Sequence, residues 1–69
     1  MSFNVKKKID YFNTIIRLYE QELDRLEILY RENVNSDDIV REFYSNRMQE
    51  IIHRISRCEI QVEKLNDAR

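Results

Sequence analysis

Apolar side chains recur at Val5, Ile9, Phe12, Ile16, Tyr19, Leu23, Leu26 and Tyr30 in an unbroken alternation of four- and three-residue steps. Steps of this kind put every one of these side chains on a single stripe of an α-helix, whereas a β-strand would scatter them over both faces. A second run, Tyr44, Met48, Ile51, Ile55, Cys58, Val62 and Leu65, keeps the same rhythm, and Val40 continues it one turn earlier. Two such stripes restrict the chain to long helices that share a seam.

Composition removes the obstacles to that architecture. The 69 residues include no glycine and no proline, the residues that most often interrupt or end helices. A chain of this length makes one domain, residues 1–69, with a thin core. The first helix is expected from about residue 3 to 32 and the second from about 37 to 66, with a turn at about 33–36. The break between them, Asn33-Val34-Asn35-Ser36-Asp37-Asp38, consists mostly of residues whose side chains bond nearby backbone amides. Either Asn35 or Ser36 can cap the second helix, and Asp37 and Asp38 put negative charge where its macrodipole favours it.

A turn this short forces the helices antiparallel. Ile9 then comes level with Val62, Phe12 with Cys58, Ile16 with Ile55, Tyr19 with Ile51, Leu23 with Met48, Leu26 with Tyr44 and Tyr30 with Val40. Apolar meets apolar along the whole length, although a slip of about half a heptad would change which seam positions interlock and the register stays open. Charges suit the same arrangement. Glu27 with Arg31, and Glu50 with Arg54, stand at favourable i,i+4 spacing. Lys6, Lys7 and Lys8, badly placed for the dipole of their own helix, fall beside Glu59 and Glu63 of the other.

A two-helix hairpin buries one stripe per helix, yet Tyr11, Ile15, Leu18, Ile28, Leu29, Ile39, Phe43, Ile52 and Ile60 lie beside or outside the stripes. Each fully buried side chain of this kind contributes roughly 1.5 to 3 kcal/mol, which is decisive for so small a domain. The fold class expected is therefore all-α, an antiparallel, coiled-coil-like two-helix hairpin that dimerises into a four-helix bundle. A groove for another protein's helix is the competing use of the same surface. Ile15, Leu18, Leu29, Phe43 and Ile52 are the residues expected to carry the contact.

No set of residues signals reaction chemistry. His53, the sole histidine, turns away from the seam beside Glu50 and Arg57, as a solvated surface histidine would. The single cysteine, Cys58, falls among Ile55 and Val62, where a thiol acts as a small apolar filler. With one of each, a closed metal site of nitrogen and sulfur ligands cannot be assembled within the chain. The seam tyrosines Tyr19, Tyr30 and Tyr44 are expected to pack their rings inward and lead the hydroxyl out. Glu20, Glu22, Asp24 and Glu27 form an acidic run that reads as a solvated face, and a glycine-rich phosphate loop is impossible. No catalytic residue, metal or cofactor is expected.

Charge and targeting narrow the partners. The formal net charge is -1, so nucleic acid and acidic membranes exert no global attraction. Binding of nucleic acid would rest on Arg47, Arg54 and Arg57, with Arg41 a turn or two earlier, a stripe that Glu42 and Glu50 interrupt. The start, MSFNVKKK, lacks the apolar run of a signal peptide or membrane helix. No membrane partner is expected, and a cytoplasmic location is.

One string resembles a known family. Gln21-Glu22-Leu23-Asp24, followed by Leu26 and Tyr30, is similar to the motif of the small helical-hairpin aspartyl-phosphate phosphatases that regulate sporulation. That family carries the motif on its second helix and begins it with serine. Here it is on the first, Glu20 stands at the serine position, and Glu27 takes a usually apolar place. The match covers about a sixth of the chain. The resemblance implies action on a phosphorylated response regulator, with Asp24 and Gln21 as the residues concerned. The leading expectation remains a non-enzymatic interaction module: an adaptor, a chaperone-like cofactor or a regulator.

Overall fold

The computed structural model describes residues 3–67. It contains two helices, α1 (Phe3–Glu32) and α2 (Asp38–Asp67), packed against each other. A continuous helix of this many residues would run to about 100 Å at 1.5 Å per residue. The molecule instead measures 51 × 14 × 11 Å, so the chain doubles back into an all-helical hairpin.

The seam is the one the apolar rhythm specifies. Ile51 is completely buried and Leu26 is 8% exposed. Val5, Ile9, Phe12, Ile16, Tyr19, Leu23 and Tyr30 on α1 are half-buried, as are Tyr44, Met48, Ile55, Cys58, Val62 and Leu65 on α2. One helix cannot enclose the other, so most of each stripe stays half-covered. Val40 departs from the expected stripe and is exposed. It stands in the first turn of α2.

The reversal is built from side-chain bonds. Helices commonly end on a left-handed residue, usually glycine, but here no described residue has a positive φ. Asn33 substitutes for it: its Nδ2 donates to the carbonyl of Leu29 at 2.7 Å, and its backbone N–H donates to the same oxygen at 3.1 Å. The Asn33 Oδ1 in turn accepts from the Ser36 hydroxyl at 3.2 Å. The cap of α2 is Asp37, whose carboxylate accepts the N–H of Ile39 at 3.0 Å while its carbonyl takes those of Val40 and Arg41. This corrects the expectation of Asn35 or Ser36. Ser36 is drawn back toward Asn33, which leaves Asp37 to meet the free amides and moves the start of α2 to Asp38.

Candidate docking surface

Between the helices, Arg47 and Glu22 fix both the register and the identity of one face. The Arg47 guanidinium donates to Glu22 Oε1 from Nε at 3.2 Å and from Nη2 at 3.0 Å. It also pairs with Glu50 at 3.2 Å, and Glu50 with Arg54 at 2.6 Å. Arg54 Nη1 reaches back to the Tyr19 hydroxyl at 3.4 Å. The result is a polar ladder that crosses the seam twice. Its hydrogen bonds, to Glu22 above all for Arg47 and to Tyr19 for Arg54, hold both guanidinium pKa values above their ordinary range. Stability from a raised arginine pKa is complete below the unfolded value and is lost only as pH climbs past the folded one. The ladder's arginines thus keep their charge throughout the neutral range.

Helical spacing assigns the apolar outliers to sides of the molecule. Leu18 precedes Glu22 by four residues, Ile15 precedes it by seven, and Leu29 follows it by seven, so all three share its side of α1. Phe43 precedes Arg47 by four and shares its side of α2. Ile15 and Leu29 are half-buried, whereas Leu18 is 58% and Phe43 66% exposed. Tyr11, one turn before Ile15, joins them at 63% exposure, its ring edge-on to Phe12 at 5.5 Å. Phe43 stands edge-on to Tyr44 in the same manner at 5.7 Å.

Ile52 does not belong with the other four. It follows Met48 by four residues and Ile51 by one, whereas Arg47 precedes Met48 by one and Ile51 by four. The two therefore flank the seam from opposite sides. On the side of Ile52 the groove is polar: Asn13, Glu59, Glu63 and Asn66 join Ile16 and Val62 around a cleft of about 280 Å³. The ladder side has its own cleft, about 210 Å³, between Phe12, Cys58, Arg57, Ile60 and Gln61. Binary pattern alone groups all five residues because it counts apolar positions without regard to flank. Their offsets from the seam would have separated them.

The remaining sequence candidates are dispersed. His53 is exposed and Cys58 half-buried. Glu22 faces the ladder, while Glu27, one residue after Leu26 and four after Leu23, takes the opposite flank with Glu20 and Asp24. The acidic run is thus split between two sides. Gln21 and Asp24 are both exposed. No group of three or more His, Cys, Asp and Glu among the described residues is placed to hold a metal ion. The arginine stripe is interrupted more thoroughly than its spacing implied, because Arg47 and Arg54 spend their donors on the ladder and Arg41 pairs with Asp38. Of the two i,i+4 pairs, only Glu50 with Arg54 is among the ion pairs of the described residues. Lys7 lies over the ring of Phe3 at 4.7 Å rather than against Glu59 or Glu63.

No described helix is long and apolar enough to cross a membrane. Compared with known proteins, the chain matches no protein-family model, no curated protein and no solved structure.

Proposed function

We propose that this chain is a non-enzymatic protein–protein interaction module, a small adaptor, chaperone-like cofactor or regulator, that works through its exposed apolar helix surface. Its first partner on this reading is a second copy of itself, two hairpins forming a four-helix bundle. The supporting observation is the concentration of Tyr11, Leu18 and Phe43, each more than half exposed, on the side marked by Glu22 and Arg47. Ile15 and Leu29 are half-covered there and would be finished by a partner.

Area supports the same reading. The chain exposes 5519 Å², whereas a compact monomer of its mass exposes roughly 4,700 Å². The excess reflects the elongated shape, which leaves the molecule more surface to cover than a compact monomer of its mass has. A lone hairpin also has little interior from which to draw stability, and domains of this size ordinarily add a disulfide, a metal or a partner subunit.

Sedimentation equilibrium tests the proposal. The wild-type chain should run at twice its chain mass, and the double variant Leu18→Glu, Phe43→Glu at one chain mass with its helical circular dichroism retained. Ile52→Glu, on the polar flank, should leave the mass of the assembly unchanged. A wild-type chain that stays monomeric at high micromolar concentration overturns self-association.

A further inference from the structure

Resting on that reading, we infer that the two-fold axis of the dimer runs parallel to the helices, so that α1 of each copy lies on α2 of the other and both turns emerge at the same end. The two sides of the shared face differ in charge. On α2, spacing from Arg47 and Glu50 brings Arg54, Arg57 and Lys64 to this side with Glu50 as the one acidic counterweight, whereas on α1 Lys7, Lys8 and Arg25 are largely offset by Glu22 and Glu32, so the cations concentrate on α2. An axis perpendicular to the helices would lay α2 on α2 and stack these cations on one another. It would also place Glu22 of both copies in the α1 pair, away from the partner's Arg47. Like charges juxtaposed across an interface disfavour the arrangement that creates them.

An axis parallel to the helices exchanges the partners instead. Residues then meet across the interface at the heights they already share within a hairpin. Glu22 and Arg47, which contact each other at 3.0 Å within one chain, would meet the partner's Arg47 and Glu22 and close a ring of four alternating charges. Leu29 comes over the partner's Phe43 near the turn. Toward the other end, Tyr11, Ile15 and Leu18 come over Arg54 and Arg57, whose methylene stems cover apolar surface while their charged heads reach water. Glu22 and Arg47 side chains are 38% and 32% exposed, open enough to face a second copy without leaving each other. The ladder becomes the element that sets orientation.

A charge exchange reads the orientation directly. In the variant Glu22→Arg, Arg47→Glu the pair between the helices is kept with its signs reversed while the Arg47–Glu50 contact is lost, and the variant should still fold and dimerise by itself, which sedimentation of the variant alone checks. Mixed with isotope-labelled wild type and resolved by native mass spectrometry, it should sort from it, because every mixed dimer sets Glu against Glu and Arg against Arg. We expect mixed dimers at least about tenfold below their statistical share. Mixed dimers in excess of that share would mean that α1 lies on α1, and would overturn the inference. A second measurement does not depend on the exchange: with Cys58→Ser and a spin label at Val34→Cys, the two labels should lie within the width of the bundle. A separation near the 51 Å length of the hairpin overturns the inference while leaving self-association intact, and the absence of any dimer overturns the reading beneath it.

Discussion

Ile51 has no exposed surface and Leu26 very little, so these two side chains dominate what the hairpin's interior can contribute. Truncating a buried isoleucine to alanine removes its transfer free energy and leaves a cavity, together about 2 to 5 kcal/mol. A single small core rarely supplies more than about 3 to 5 kcal/mol in all. Ile51→Ala should therefore abolish most of the helical signal at 25 °C in circular dichroism, whereas Ile55→Ala, at a half-buried position of the same stripe, should lower the urea midpoint and leave a cooperative transition. Both positions were legible in the apolar rhythm, because periodicity encodes which way a side chain points. How deeply each is covered was not, since depth depends on how far the opposite helix extends. Val40 shows the limit: its spacing is right, yet it is 36% exposed.

At the scale of the elements, the extents of α1 and α2 follow from stripes that nothing interrupts, while the turn obeys finer chemistry. Several adjacent residues in Asn33 to Asp38 are good capping residues, so composition alone cannot rank them. The choice of Asp37 follows from geometry, because the Ser36 hydroxyl is held against Asn33 while the Asp37 carboxylate meets the N–H of Ile39. Replacing Asp37 by alanine should cost about 1 kcal/mol in chemical denaturation, as removal of an N-cap commonly does, and Asn35→Ala should cost less than half as much. Equal losses at the two positions would contradict the cap geometry. The Glu22–Arg47 bond was illegible for a related reason. Each residue lies beside its stripe, and only the finished register tells which of several opposite charges it meets.

For the whole molecule, the hairpin's 51 Å length against widths of 14 and 11 Å means that nearly every residue has one side toward water. Any association that covers the ladder face then adds to stability by mass action. The thermal midpoint of the wild-type chain should rise by several degrees as concentration is raised a hundredfold, and that of the Leu18→Glu, Phe43→Glu variant should stay constant. A wild-type midpoint independent of concentration would speak for a hairpin complete in itself. Apolar residues outside the stripes announced this surface in the sequence. Its division into an apolar flank and a polar one emerged only once Arg47 and Ile52 were seen on opposite sides of the seam.

The reversal between Glu32 and Asp38 contains neither a helix breaker nor a left-handed residue. The bend is held instead by side-chain bonds, from the amide of Asn33 and to the carboxylate of Asp37. Two opened chains lying side by side in opposite directions would satisfy the same stripes, each supplying the half that the other lacks, as in domain swapping. The bonds that such an exchange would give up are those of Asn33, Ser36 and Asp37 at the bend.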